Sequence, residues 1–124
     1  MENPGIEHFF CEHDESPTPT YFLPHGDVLI LGGSAEVGRF DRAPDEKIAA
    51  EIRERCALIE PSLADAKFLR HRVGLRPSRP AVRLEVERIG RGHVVHNYGH
   101  GGAGVTVSWG CANDVLTLVD RLAA

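Results

Sequence analysis

The sequence predicts an α+β fold, on three observations. Residues 81–89 alternate: Val82, Leu84 and Val86 are separated by Arg83, Glu85 and Glu87, the period of a strand with one buried and one wet face. Two other stretches carry apolar residues at helical spacing, Ile48, Ile52, Cys56 and Ile59 in one and Cys111, Val115, Leu118 and Leu122 in the other. Two β-rich runs, residues 21–23 and 28–31, flank Pro24-His25-Gly26-Asp27, a turn sequence that predicts a hairpin.

In chain order, residues 6–13 read as a strand carrying Phe9, Phe10 and Cys11. Residues 14–20 hold two prolines and read as a loop leading into the hairpin. After an irregular stretch over 34–43, the first helix is expected to open at Pro44, whose fixed φ suits a first helical position. Asp45 and Glu46 favour the positive end of its dipole, and Glu60-Pro61 ends it. Residues 67–75 read as another strand, followed by the alternating one. Gly90-Arg91-Gly92 then turns the chain into a strand over 93–97, and the last helix is expected over 106–122. There is no repeat or low-complexity tract. The boundary between two domains, 1–90 and 91–124, is placed at that glycine turn.

Composition narrows the function classes. A chain of 124 residues is of single-domain size, and burial of about two-thirds of its surface is expected on folding. Its 42% hydrophobic and 26% charged residues are ordinary for a globular protein. A net charge of −4, with scattered Arg and Lys, argues against a nucleic-acid partner. No apolar run approaches the ~20 residues of a membrane span. Met-Glu-Asn-Pro-Gly lacks the basic and apolar regions of a signal peptide, and Arg121-Leu122-Ala123-Ala124 is not a peroxisomal ending. Three distant cysteines do not suggest a disulfide framework, so a reducing cytoplasm is the expectation.

The richest stretch is residues 96–111, where Gly99, Gly101, Gly102 and Gly104 lie between a short β-run and the last helix. That order gathers backbone N–H groups and the positive end of a helix dipole at one place. Glycine there lets something flat or anionic approach the main chain. Neither G-x-G-x-x-G nor G-x-x-x-x-G-K-[ST] occurs, which excludes the usual nucleotide-phosphate readings. Spacing alone also allows a plain glycine turn capping a helix. No metal site is expected. His96 and His100 fall on a strand end and a loop rather than one helix face, while His8 and Cys11 point to opposite faces of a strand. Cys111 sits on the apolar stripe and reads as core.

The string Asn97-Tyr98-Gly99-His100-Gly101-Gly102-x-Gly104-x-Thr106, with Trp109-Gly110-Cys111, resembles the C-terminal signature of the D-amino-acid oxidase family of flavoenzymes. Gly74-Leu75-Arg76-Pro77-Ser78-Arg79-Pro80 resembles that family's substrate-arginine motif. Tyr21-Phe22-Leu23-Pro24, ahead of Leu31-Gly32-Gly33, resembles its substrate-domain hairpin, and Glu2-Asn3-Pro4-Gly5 a further family segment. The order and spacing match over essentially the whole chain. In the family an N-terminal βαβ unit with a G-x-G-x-x-G turn holds the FAD phosphates. Nothing here corresponds to it, so the resemblance implies the last third of such an oxidase. Residues 1–90 would then be the end of a mixed or antiparallel substrate domain with one helix. Residues 91–124 would be the strand, glycine loop and helix that close a Rossmann-like FAD domain.

The resemblance also implies roles. Arg76 would take the substrate carboxylate through two parallel hydrogen bonds, for which a planar guanidinium is suited, and Tyr21 would join it. A solvated arginine in a proline turn and a packed tyrosine are the plainer readings of those residues. Arg79 and Arg83 are near competitors, with Arg83 on the charged face of the strand. Gly101, Gly102, Ala103, Gly104, Val105 and Thr106 would run under the flavin, the Gly102 carbonyl accepting from the substrate amine and Thr106 bonding the flavin C2 oxygen. The helix N-terminus would stabilise charge near flavin N1. No side-chain acid or base is needed for hydride transfer from a neutral amine. Pro17 stands where mammalian members carry a lid tyrosine, which implies a more open entrance.

The activity implied is oxidative deamination of D-amino acids, with O2 returning hydrogen peroxide and imine hydrolysis giving a 2-oxo acid and ammonia. An acidic side chain would need a second cation, for which Arg39 or Arg72 would have to face inward. One alternative is a non-catalytic remnant or split half that needs a complementing N-terminal FAD-binding segment. A homodimer is the other partner expectation, and the last helix is expected to expose apolar surface because most of its partner sheet is missing. A lesser alternative is a glycine- or sarcosine-type amine oxidase.

Overall fold

The computed structural model describes residues 1–13 and 18–123. It is α+β, with two small antiparallel sheets and two helices. The chain divides into two compact units, Met1–Gly74 and Leu75–Ala124.

The first unit is built on a three-stranded meander, β1 (Phe10–Glu12), β2 (Thr20–His25) and β3 (Val28–Gly32), in that order. The expected hairpin forms as β2 and β3, pairing Phe22 with Leu31 and His25 with Val28. Gly26 and Asp27 close it, and Gly26 supplies the left-handed φ of +60° that a two-residue turn needs. The strand expected over 6–13 shrinks to β1. Asn3 explains why: its Oδ1 accepts from the N–H groups of Gly5 (3.1 Å) and Ile6 (2.8 Å), curling the chain where a strand would start. Asn3 Nδ2 then donates to Gly26 O (2.9 Å), tying the N-terminal segment to the hairpin turn.

Helix α1 (Glu46–Ile59) starts two residues later than expected. Asp45 is its cap, with Oδ1 accepting from Lys47 N (3.0 Å) and Ile48 N (3.2 Å), and Pro44 lies outside. It ends where expected, before Glu60-Pro61, and a 3₁₀ turn over Pro61–Leu63 follows. α1 packs on β2 and β3, closing a core of Met1, Ile6, Phe22, Leu29, Cys56 and Leu63, with Ile52 at its margin. Of the expected stripe, Cys56 is buried, Ile48 and Ile52 are half-buried and Ile59 is exposed. Residues 67–75 have no regular structure, against the expected strand. Their composition is β-like, but a strand needs a ladder partner along its length. The backbone here bonds the N-terminal segment through Glu2 N–H to Lys67 O (2.8 Å), and Phe68, Leu69 and Leu75 stay exposed.

The second unit is a long two-stranded ribbon, β4 (Ser78–Ile89) with β5 (Gly92–His100), and helix α2 (Ser108–Ala123) packed on both strands. The alternating strand is there, longer than expected at its start, and β5 runs past Asn97 to His100. Gly90 and Arg91 are the hairpin turn between β4 and β5. Register puts Arg83, Glu85 and Glu87 on one face with Tyr98, His96 and Val94, and Leu84 and Val86 on the other with Asn97 and Val95. Burial does not follow that division cleanly. Val82 is exposed while Arg83 and Glu87 are half-buried by their own ion pairs.

On α2 the expected stripe of Cys111, Val115 and Leu118 is half-buried, although Leu122 is exposed. A second apolar stripe, Trp109, Leu116 and Val119, is exposed, Trp109 to 88%. Among the described residues no helix is long and apolar enough to cross a membrane.

Candidate functional site

Two sequence motifs that lie far apart in the chain meet in the second unit. Ser78 N–H donates to Arg76 O (2.8 Å), a tight turn about Pro77, and Gly101 N–H donates to Pro77 O (3.2 Å). The glycine loop is thereby laid along the arginine motif. Gly99 (φ +88°) and Gly101 (φ +57°) take left-handed conformations that side chains rarely adopt. At Gly102 a Cβ would stand 3.4 Å from both Cδ and Nε of Arg76, so the arginine stem crosses the bare main chain there. Arg76, Gly101 and Gly102 are thus brought together.

Beyond Gly102 the chain makes turns before the helix: Ala103 N–H to His100 O (3.0 Å), then Val107 N–H to Ala103 O (3.1 Å). The helix expected from Thr106 begins at Ser108, whose hydroxyl donates to Val105 O (2.8 Å), so Thr106 lies in the turn ahead of α2. Gly102, Ala103, Val105 and Thr106 are exposed, and Gly101 and Gly104 half-buried. Cys111, on the half-buried stripe, has its sulfur 3.4 Å from His100 Nε2, so it also touches the loop.

The other two arginines are placed differently. Arg79 lies against Gly99 and donates to the Tyr98 hydroxyl (3.0 Å). Arg83 donates to the same hydroxyl (3.2 Å) and pairs with Glu85 (2.7 Å) and Glu87. The Tyr98 hydroxyl and then the two carboxylates hold the Arg83 guanidinium protonated well above its ordinary range. Glu87, bonded first by Arg83 and then by His96 (2.9 Å), is held below the usual carboxylate range.

Tyr21 belongs to the first unit and pairs with Gly32 across β2 and β3. Its ring lies on the Gly32-Gly33 backbone: a Cβ on Gly32 would be 2.1 Å from Tyr21 Cζ, and one on Gly33 2.7 Å from Cε1. Arg55, which sequence reasoning missed, secures this corner from α1, donating to Gly33 O (2.8 Å) and Thr20 Oγ1 (3.2 Å). Its signal was faint: a charged residue directly beside Cys56 on the buried stripe. Gly32→Ala is expected to push the Tyr21 ring off its seat and to cost about 1–3 kcal/mol through overpacking. Aromatic proton shifts of Tyr21 and a denaturant titration check both effects. An unmoved ring would mean that the contact is dispensable.

Arg39 does not serve as a second cation, because Asp41 (2.9 Å) and Asp45 (3.1 Å) already hold it. Its guanidinium is pushed up by those hydrogen bonds, Asp41 first. Arg72 lines a cavity of about 120 Å³ in the first unit, with Arg53, Arg70, His71 and apolar Leu31, Ile52 and Phe68. Pro17 lies outside the described residues. Among the described residues no group of three or more His, Cys, Asp or Glu is placed to hold a metal ion.

The family model described as FAD dependent oxidoreductase matches residues 2–117. The chain belongs to that family. It is 49% identical to a D-amino-acid oxidase of Rubrobacter xylanophilus over 119 residues, covering 95% of this chain and 36% of that protein. It is 51% identical to a D-amino-acid oxidase of Streptomyces coelicolor over 120 residues, 95% of this chain and 38% of the other. To a human D-aspartate oxidase it is 42% identical over 125 residues, 98% of this chain and 36% of that one. The chain therefore spans little more than a third of the length of these curated relatives. The family's cofactor is FAD. Exposed main chain at Gly102 and Ala103 is compatible with the flavin end of such a cofactor lying beside the loop.

Proposed function

We propose that this chain is the C-terminal portion of an FAD-dependent oxidase that deaminates D-amino acids to 2-oxo acids, ammonia and hydrogen peroxide. The observation that carries the reading is the Arg76 stem lying 3.4 Å from where a Cβ on Gly102 would stand, an arginine packed on exposed glycine main chain. On this reading residues 1–90 end the substrate-binding domain and residues 91–124 close the FAD domain, Rossmann-like in its strand–loop–helix order. The D-amino acid and O2 are the small-molecule partners.

Arg76 binds and orients the substrate carboxylate in a two-point grip. The Gly102 carbonyl accepts from the substrate amine, fixing which hydrogen on Cα is presented. Gly101 to Thr106 hold the flavin end of the cofactor, Thr106 through its hydroxyl. The positive end of the α2 dipole meets negative charge there. FAD, when bound, supplies the hydride acceptor and its return of electrons to O2. The chain's own contribution is binding and alignment, so no side-chain acid or base is assigned.

The exposed stripe of Trp109, Leu116 and Val119 is also compatible with a second reading, in which this chain is a non-catalytic remnant or a split half completed by a nucleotide-binding segment. The 124-residue chain alone is expected to bind FAD weakly or not at all, because its sequence has no G-x-G-x-x-G turn for the phosphates. Flavin fluorescence titrated with the chain tests this. A tightly bound yellow chromophore on the purified chain would refute it and point to an unrecognised phosphate site. Oxygen uptake with D-alanine, measured on an oxidase carrying this segment, tests the activity itself.

A further inference from the structure

We propose that the Tyr98 hydroxyl is a positioning group for Arg76, clamping through Arg79 and Arg83 the segment that carries it onto the glycine loop. The inference rests on the reading of Arg76 as the carboxylate anchor and adds a residue that holds it there.

The β4–β5 ladder runs in register from Ile89↔Gly92 to Arg83↔Tyr98 and resumes at Ser78↔His100. Between those pairs, Arg79 to Val82 lie opposite Gly99, so the ladder is irregular just before the chain reaches Arg76. Side chains bridge the irregularity. The Tyr98 hydroxyl accepts from Arg79 Nη1 (3.0 Å) on the far side of it and from Arg83 Nη1 (3.2 Å) on the near side. Both guanidinium groups also sit near the ring face, Cζ 5.1 Å and 5.9 Å from its centroid.

Two cations on one phenol would repel, but Glu85 and Glu87 pair with Arg83 and offset its charge, and His96 bonds Glu87 from β5. The Arg79 stem is seated by glycine: a Cβ on Gly99 would be 2.6 Å from its Cδ. With Arg79 fixed at both ends, the turn behind it is fixed too, through Ser78 N–H to Arg76 O and Gly101 N–H to Pro77 O. Tyr98 is 40% exposed, so its hydroxyl leaves no buried partner stranded when removed, and position rather than folding is what it governs.

The test uses Tyr98→Phe, which keeps the ring and removes the hydroxyl. In the 124-residue chain, hydrogen exchange at Gly101 N–H should quicken about tenfold, the factor for one lost hydrogen bond, while the Val86 and Val95 amides change less than about twofold. In an FAD-loaded oxidase carrying this segment, KM for a D-amino acid and Ki for a simple carboxylate should rise about tenfold, with kcat within about twofold. Arg79→Ala should do the same, and the double variant should be no worse than either single one, because both break one clamp. Uniform quickening of all amides, or a kcat loss at unchanged KM, would overturn the proposal in favour of general loosening. If Arg76→Ala leaves KM unaltered, the failure lies with the carboxylate reading. If Arg76→Ala raises KM while Tyr98→Phe moves neither readout, the failure lies with the clamp.

Discussion

Arg76→Ala, made in an FAD-loaded oxidase that carries this segment, is expected to lower kcat/KM for D-alanine by roughly 30- to 4,000-fold. That range corresponds to about 2–5 kcal/mol for removing one partner of a hydrogen-bonded charge pair. Lost alignment of Cα–H adds to it, because a substrate no longer gripped at two points samples unproductive orientations. Arg76→Lys restores the charge without the fork and should recover activity only in part. Arg79→Ala should fall well short of the Arg76 effect, since Arg79 acts through position at Gly99 and Tyr98. Arg83→Ala should matter least for turnover, because Glu85 and Glu87 already occupy that guanidinium. Steady-state oxygen consumption across the four variants reads this order. Wild-type kcat/KM in Arg76→Ala, with flavin retained, would remove Arg76 as the anchor.

The sequence is most legible where one physical demand governs many residues at once. Alternation over 81–89 has a single solution, a strand with two unlike faces, and β4 covers it. The turn chemistry of Gly26-Asp27 and the stop at Glu60-Pro61 are equally local, and both appear where expected. Legibility fails where the outcome depends on a partner distant in sequence. Residues 67–75 carry Phe68, Leu69, Val73 and Leu75, but among the described residues no strand lies alongside them to pair with. Tyr98 stands in full view inside the glycine-rich string. Its meeting with Arg79 and Arg83 follows from the register Arg83↔Tyr98, which no pattern in one strand reveals. Arg55 is similar, since a helix residue bonding the Gly33 carbonyl depends on how α1 lies over β2 and β3. On α2 Cys111, Val115 and Leu118 are half-buried, while Trp109, Leu116 and Val119, seven and three residues apart on another face, stay exposed.

Phe22 and Tyr21 are neighbours on β2 and should respond to substitution in opposite ways. Successive strand residues face opposite sides of a sheet, so one points into the core and the other away from it. Phe22 is 1% exposed, stacked on Phe10 at 5.5 Å between centroids, and packed with Leu29, Cys56 and Leu63. Phe22→Ala removes that ring from a small core with few residues able to collapse into the gap, and the expected loss is about 3–5 kcal/mol. Domains of this size are stable by only about 5–15 kcal/mol, so the first unit should be largely unfolded in mild denaturant. Tyr21→Phe keeps the ring on Gly32 and Gly33 and forfeits at most one hydrogen bond, about 0.5–1.5 kcal/mol. Hydrogen exchange at the β2–β3 amides reads the first unit on its own, while Trp109 fluorescence reports from the second. In Phe22→Ala those amides should lose most of their protection, and in Tyr21→Phe they should keep it. Full protection in Phe22→Ala would mean that the helix and 3₁₀ turn, not this ring, hold the sheet together. The hairpin would then present Tyr21 without any help from the core behind it.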